Sequence, residues 1–177
     1  MGGERPSWSH DGRWVYFASE RSTNPTDSGS RGWQIWKMLV QGGEAVQVTK
    51  GGGYEAAESL NGKTLYYAKP GDRAPVWSVP GSEGATGGLE TAVLPAVTNG
   101  HWAVTEKGIY FTAPDAPVQP VPVLFFSFET RRVRQIGVIA KEVEPGPGFF
   151  VGQDGRWLMW AQIDRKESDL MMVENFR

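Results

Sequence analysis

Apolar and polar residues alternate along this chain in short runs, and glycine, proline, asparagine or aspartate separate one run from the next. Alternate residues of a β-strand face the same side, so runs of this kind predict half-buried strands. The 23 glycines and 12 prolines among 177 residues are typical of turns between short strands. No window free of glycine and proline keeps the apolar spacing of an amphipathic helix. The pattern predicts an all-β protein.

One apolar and aromatic phrase occurs four times along the chain. Its copies occupy residues 13–18, 63–68, 107–112 and 156–161, and they align on Val15, Leu65, Ile109 and Leu158. Successive copies are therefore 50, 44 and 49 residues apart. Four-stranded blades of β-propellers recur with a period of about 40 to 50 residues. The repeat predicts a β-propeller of four blades.

Each copy predicts the strands of one blade. The first copy gives strands over 6–9, 14–18, 33–38 and 44–49, and its first turn is His10-Asp11-Gly12. The second copy follows at a constant offset of 50, which sets Ser59 against Ser9 and Asn61-Gly62 against Asp11-Gly12. Besides the strand formed by the repeated phrase itself, the third copy gives strands over 102–104, 123–128 and 133–136, and the fourth over 149–151 and 169–173. The predicted blades span about 4–50, 54–95, 100–138 and 147–177, within one propeller segment over residues 1–177.

The last blade is predicted to have three strands, whereas the first three blades have four. An open sheet edge presents unpaired amide and carbonyl groups, and propellers normally avoid such edges by closing the ring. We therefore expect half of a larger ring, and two copies could pair as a homodimer into an eight-bladed ring. The alternative is a closed four-bladed monomer.

The first repeat resembles a known family. Residues 6–21 read PSWSHDGRWVYFASER, and they are followed by Gln34-Ile35-Trp36-Lys37-Met38, Gly42-Gly43 and Gln47-Val48-Thr49. This series is similar to the WD40-like (PD40) repeat of TolB-type bacterial β-propellers. The resemblance covers essentially the whole chain. His10 stands where the family usually has proline, the third repeat has Thr105-Glu106 in place of the Asp-Gly turn, and residues 22–32 form a longer approach to the third strand.

The resemblance implies ligand or protein binding, often outside the cytoplasm, and no shared catalytic residues. Residues 169–177 are similar to the C-terminus of larger bacterial proteins that join a winged-helix regulator to a TolB-like propeller. By that likeness the chain is the C-terminal four blades of a longer ring. The family implies a periplasmic location, although residues 1–6 have neither the basic nor the apolar segment of a signal peptide.

Composition and motifs argue against several function classes. The net charge is −2, which gives no general attraction to nucleic acid, and no apolar run is long enough to insert into a membrane. The chain has no cysteine. Its two histidines, His10 in a turn and His101 before an inner strand, have no partner at metal-ligand spacing. Neither a nucleophile elbow nor a phosphate loop is present, and the loop over residues 24–30 has too few carboxylates for calcium. The sequence predicts no metal, no cofactor and no enzyme.

The tryptophans divide by their place in the repeat. Five of them occupy positions that predict packing between blades, and these are Trp14, Trp36, Trp77, Trp157 and Trp160. Trp8 and Trp102 lie on predicted inner strands. Alternate residues of an inner strand face the channel, so these two rings are either core residues or a surface on which a ligand stacks.

Loops between the second and third strands, and between one blade and the next, collect on one face of a propeller. Such loops carry most binding residues because the sheets hold them in place. The candidates on this face are Glu20, Arg21, Tyr54, Glu55, Lys69, Asp72, Arg73, His101, Trp102, Gln162, Asp164 and Arg165. Charges of both signs beside aromatic rings are typical of a protein or peptide contact. The leading hypothesis is a binding or scaffold module; the alternatives are an accessory propeller that gates a prolyl-oligopeptidase-like hydrolase, and the sensory propeller of a winged-helix regulator.

Overall fold

A computed structural model describes residues 2–21, 32–81, 88–115, 120–141, 143, 146 and 148–164. Within these ranges the chain forms fourteen β-strands and no helix. The strands are β1 Glu4–Trp8, β2 Trp14–Ser19, β3 Gln34–Leu39, β4 Val46–Gln47, β5 Glu55–Glu58, β6 Thr64–Ala68, β7 Ala74–Pro80, β8 Thr91–Val97, β9 Trp102–Val104, β10 Gly108–Thr112, β11 Val121–Ser127, β12 Val133–Ile139, β13 Phe149–Val151 and β14 Leu158–Trp160. The prediction of an all-β protein is confirmed.

The strands form four antiparallel sheets in which each strand pairs with its neighbour along the chain. Strands β1 to β4, β5 to β8 and β9 to β12 make three four-stranded sheets, and β13 with β14 makes a fourth sheet of two strands. The strand predicted over 169–173 lies outside the described residues. Four successive antiparallel meanders are the blades that the repeat predicted.

Two strands of the first sheet differ from the prediction by more than one residue at an end. Strand β1 begins at Glu4, not at residue 6, so it includes Arg5. Strand β4 has two residues, where 44–49 was predicted, because the backbone amides of Val48 and Thr49 both donate to the carbonyl of Ile35. Because two amides donate to one carbonyl, the regular hydrogen-bond ladder between β3 and β4 ends after Gln47.

The turn between the first two strands repeats from sheet to sheet. Gly12 and Gly62 have φ angles of 69° and 68°, a left-handed conformation that glycine adopts without steric cost. Ser9 Oγ donates to the Asp11 carboxylate at 2.7 Å and accepts from the amide of Trp14 at 2.9 Å. Ser59 makes the same two contacts in the second sheet, with the Asn61 side-chain oxygen at 2.8 Å in place of the carboxylate. The offset of 50 therefore holds in atomic detail.

The hydrogen bonds in the first of these turns affect the pKa of its aspartate. The hydrogen bond from Ser9, with that from the Arg13 amide, lowers the pKa of Asp11 below 3.8. The stabilisation from this carboxylate is therefore present above the unfolded-state pKa and is lost as the pH falls through the folded-state pKa. We expect Ser9→Ala to raise the pKa of Asp11 toward 3.8, measured by NMR titration of the carboxyl carbon. Ser59→Ala, which affects only the second turn, should leave that pKa unchanged.

The sheets pack face against face, and the alternation of residues decides which neighbour each side chain meets. We call the side of a sheet that meets the preceding sheet its leading face, and the opposite side its trailing face. Tyr16 and Ala18 on the trailing face of the first sheet share one core cluster with Leu65 and Tyr67 on the leading face of the second. Two further clusters fill the second and third junctions. Burial of these apolar faces is the main stabilising contribution to the stack.

The tryptophans predicted to pack between sheets do so unequally. Trp36 is buried, but it lies beside Phe17 on the leading face of the first sheet, which meets no other described sheet. Trp14 and Trp77 are half-buried. Trp157 contradicts the prediction, because 55% of its surface is exposed. It lies in the turn before β14, and its indole sits beside Gly152, where any Cβ would lie 2.5 Å from Nε1. The absence of a side chain at Gly152 lets the ring fold back over the turn and away from the sheet junction.

Candidate binding cleft

The first strand of every sheet lies at the inside of the stack. Strand β1 contacts β5, β5 contacts β9, and β9 contacts β13. Together they enclose a cleft of about 580 Å³. Its lining consists of Glu4, Arg5, Pro6, Ser7, Glu55, Ala56, Ala57, Gly100, Trp102, Gly148, Phe149 and Phe150. All of these residues belong to the inner strands or to the turns that lead into them.

The carboxylate of Glu55 connects three of the sheets at one end of the cleft. Its Oε2 atom accepts hydrogen bonds from the Gly100 amide at 3.0 Å and from Trp102 Nε1 at 2.8 Å. Its Oε1 atom lies 3.2 Å from Nη1 of Arg5. The two side chains are only 12% and 22% exposed. Hydrogen bonds to an ionised group in a partly buried site are stronger than those between neutral groups.

Arg5 reaches Glu55 from an unusual backbone conformation. Its φ angle is 52°, and the pairing of β1 with β2 shifts register between Glu4 and Ser7. Such a bulge re-aims a side chain, and here the guanidinium also lies over the ring of Tyr54, 5.3 Å from its centroid. The Tyr54 hydroxyl donates in turn to Glu4 Oε2 at 2.8 Å. Glu4, Arg5, Tyr54 and Glu55 form one connected polar group, which we call the cleft network.

The left-handed conformation at Arg5 should be detectable as strain. A non-glycine residue in this region costs about 1 kcal/mol relative to glycine. We therefore expect Arg5→Gly to be more stable than Arg5→Ala by about 1 kcal/mol, although both variants lose the same ion pair. Urea unfolding of the two variants measures the difference. Equal midpoints would show that residue 5 relaxes to an ordinary conformation once its side chain is removed.

The rest of the cleft is apolar. Ala56 and Ala57 of β5 form one wall, and Phe149 and Phe150 of β13 form another. Phe149 is buried, whereas 54% of the Phe150 surface is exposed. A cleft with a polar network at one end and apolar walls beyond it is typical of a binding site.

Four of the residues predicted for the loop face lie together at this cleft or directly behind it. Tyr54 and Glu55 belong to the cleft network, and Trp102 joins it through its indole N–H. His101 is 4% exposed; its Nδ1 lies 3.5 Å from Thr112 Oγ1, and its ring stacks on Phe149. Trp102 is also buried, so its ring packs in the core and presents only part of its surface to the cleft.

The other predicted loop residues lie in separate places around the sheets. Lys69 packs its ammonium 4.0 Å from the centroid of the Trp77 ring, and Arg73 forms an exposed ion pair with Asp115. Arg21 lies over the rings of Phe17 and Trp36, on the leading face of the first sheet. Glu20 and Asp72 are exposed. The structure therefore divides the predicted face into a cleft and several local contacts.

A further polar contact joins the third and fourth sheets. Gln162 pairs with Val143 in an isolated bridge and donates to Asp164 at 2.8 Å. Lys141 also donates to Asp164, and it is the larger cause of the lowered pKa of this carboxyl. Arg165 lies outside the described residues.

A second polar cluster lies between the first two sheets. Glu58 accepts hydrogen bonds from the His10 amide at 2.6 Å and from the Tyr16 hydroxyl at 2.8 Å. Burial, and then this carboxylate, raise the pKa of Tyr16. Lys37 is buried beside Trp14, and burial lowers the pKa of its ammonium. Because Glu58 bonds residues of the neighbouring sheet, we assign this cluster to the junction between sheets.

The described part of the chain contains no group of three or more histidine, cysteine, aspartate or glutamate side chains that could hold a metal ion. No helix there is long and apolar enough to span a membrane.

The sequence prediction missed Arg5, Phe149 and Phe150 as lining residues. One signal for Arg5 was available, since the constant offset of 50 sets Arg5 against Glu55 and Glu4 against Tyr54. The same repeat position thus supplies the guanidinium in one sheet and the carboxylate in the next. The left-handed backbone that brings them together has no comparable signal.

Sequence comparisons do not identify the chain. No protein-family profile matches it, and no characterised protein matches it in sequence. Its similarity to known proteins is therefore found in the fold.

Several solved structures share this fold. TolB from Acinetobacter baumannii superposes with a TM-score of 0.63 at 12% identity, over 89% of this chain and 37% of TolB. The structure of a nidogen/laminin complex superposes with a TM-score of 0.60 at 12% identity, over 90% of this chain and 56% of the other. Prolyl oligopeptidase B from Galerina marginata gives 0.55 at 14% identity, over 85% of this chain and 22% of the enzyme.

This chain spans 37% and 56% of the lengths of the first two structures. Identities of 12% to 14% establish a common fold, and function has to be argued from the site. Four successive antiparallel sheets, stacked with their first strands innermost, match a partial ring. The chain folds as a partial β-propeller that is similar in fold to TolB.

Proposed function

We propose that this chain is a non-enzymatic binding module that holds a short segment of a protein or peptide in the cleft between its inner strands. The observation that carries the proposal is the cleft itself, with about 580 Å³ of space between a charged network and aromatic walls. Its volume lies within the range of about 300 to 1,000 Å³ that is usual for ligand sites. The fold also occurs in structures of binding and peptidase proteins.

The chemistry of the cleft favours a neutral peptide segment with an apolar side chain. Arg5 Nη1 faces Glu55 Oε1, whereas Ser7 Oγ has no hydrogen-bond partner among the described residues. A serine hydroxyl can donate to a carbonyl oxygen, which a peptide backbone supplies at every residue. Glu4 and Glu55 place two carboxylates beside them, and these would repel an acidic segment. Phe150 offers an exposed ring to an apolar side chain.

The engagement of Glu55 supports a binding role over catalysis. One of its oxygens accepts two hydrogen bonds, and the other faces Arg5. A carboxylate held in this way keeps its position, and a general base needs a free oxygen within reach of the proton that it removes. An accessory propeller of a hydrolase would use the same cleft to admit substrate, with catalysis in another domain.

Selection of a displayed random-peptide library on the purified chain tests the proposal. We expect enriched peptides that carry an apolar residue, and we expect Phe150→Ala to weaken them by about tenfold, because loss of one buried aromatic contact costs more than about 1 kcal/mol. Leu89→Ala is the matched control, since Leu89 is 84% exposed and does not line the cleft. Failure to enrich any peptide, or equal binding by Phe150→Ala, would contradict the proposal.

A further inference from the structure

The two end faces of the stack each carry exposed apolar side chains. On the trailing face of the fourth sheet, Phe150 and Met159 form a cross-strand pair, and they are 54% and 55% exposed. On the leading face of the first sheet, Trp8 pairs with Val15 and is 63% exposed. Large exposed apolar side chains that share one sheet face mark an interaction surface.

The internal junctions show what each of these faces is built to meet. Val15 and Phe17 occupy the repeat positions of Leu65 and Tyr67, which are 1% and 0% exposed because the first sheet covers them. In the first sheet, Val15 and Phe17 are only half-buried. At these two repeat positions, the leading face of the first sheet therefore carries apolar side chains, as the covered leading face of the second sheet does.

One pair of repeat positions lies at every internal junction, with one member on each of the two facing sheets. Tyr16 on a trailing face bonds Glu58 on the next leading face. At the second junction the same two positions hold Tyr66 and Val104, which pack against one cluster. At the third junction they hold Tyr110 and Val151, which also share a cluster. The position therefore carries a matched pair, polar with polar or apolar with apolar.

The open ends carry the same two positions with a matched apolar pair. The position of Tyr16, Tyr66 and Tyr110 is occupied by Met159 on the last trailing face, and that of Glu58 is occupied by Trp8 on the first leading face. A methionine sulfur against an indole ring is a favourable contact. More than half of the surface of each residue is exposed within one chain.

We propose that the trailing face of the fourth sheet docks on the leading face of the first sheet of a second copy, with Met159 against Trp8. Two copies related by a twofold axis make this contact twice and close a ring. The inner strand β1 of one copy then lies beside β13 of the other. The cleft of one chain becomes one half of a channel, and Phe150 lies at the seam between the halves.

Charge substitution at the paired positions tests both the association and its direction. We expect the wild-type chain to have twice the molar mass of 19.5 kDa by light scattering across a dilution series. Trp8→Lys alone and Met159→Glu alone should each weaken association by about tenfold or more, because a buried charge faces an apolar partner. An equimolar mixture of the two variants should recover the double mass, since one interface becomes an ion pair and the other keeps its native residues.

The control and the contrary outcomes are specific. Leu89→Glu, at an exposed apolar position away from both faces, should keep the wild-type mass, and circular dichroism should show each variant to be folded. A wild-type monomer at every concentration would overturn the proposal. A mixture that stays monomeric would also overturn it, because that is the result expected if like faces pair, leading with leading or trailing with trailing. Masses that increase without limit would also overturn it, because they show a contact that does not close. None of these measurements depends on peptide binding, so the two proposals fail separately.

Discussion

Replacing Glu55 with alanine is expected to lower the free energy of unfolding by about 3 kcal/mol, because it removes one member of a partly buried ion pair and leaves its partners unsatisfied. The loss combines the ion pair with Arg5 and the hydrogen bonds from the Gly100 amide and Trp102 Nε1. Those contacts join the first three sheets through one side chain. Urea denaturation followed by tryptophan fluorescence measures the change.

Glu55→Gln and a double-mutant cycle separate the parts of that effect. Glutamine keeps an acceptor for the two N–H groups but has no charge for Arg5, so we expect a loss of about 1 kcal/mol. Arg5→Ala combined with Glu55→Ala should cost less than the sum of the single changes, because the two side chains contact each other. Additive changes, or a Glu55→Ala variant as stable as the wild type, would show that the cleft network does not hold the sheets together.

The sequence predicts the sheets well because the repeat and the strand alternation both follow from which side chains are buried between sheets. Strands β9 and β13 have the predicted bounds, 102–104 and 149–151. Their residues alternate between the two faces of a sheet, so a shift of register by one residue would expose the core set. Strand β4 is shorter than predicted because the Ile35 carbonyl accepts from both Val48 and Thr49, and a pattern of side chains carries no information about that backbone contact.

The cleft is less predictable because its contacts connect different sheets. Predictions made for one strand at a time do not include Arg5. This residue lies before the predicted start of the first strand, and its backbone is left-handed. Lys69, Arg73 and Asp164 were predicted to lie on one loop face. In the structure, their positions depend on Trp77, Asp115 and Lys141. Such pairings follow from the angle between sheets, and the repeat does not encode that angle.

Leu65→Ala is expected to destabilise the chain by about 3 kcal/mol, the middle of the range for leucine removed from a protein core. Leu65 is 1% exposed and packs in the cluster between the first and second sheets, where Tyr16 and Ala18 of the first sheet cover it. The cavity left by the substitution can close only if one of the two sheets shifts its hydrogen-bonded strands. The free energy of unfolding from urea denaturation, measured on dilute protein, gives the cost.

Val15→Ala is the control, because Val15 occupies the same repeat position on a leading face that none of the described sheets covers. A half-exposed valine should cost about 1 kcal/mol or less when truncated, since little of its surface leaves water on folding. A loss as large as that at Leu65 in dilute protein would contradict the assignment of an open leading face. At concentrations where two copies associate, the same variant should lower stability further, because the second copy then covers Val15 as the first sheet covers Leu65.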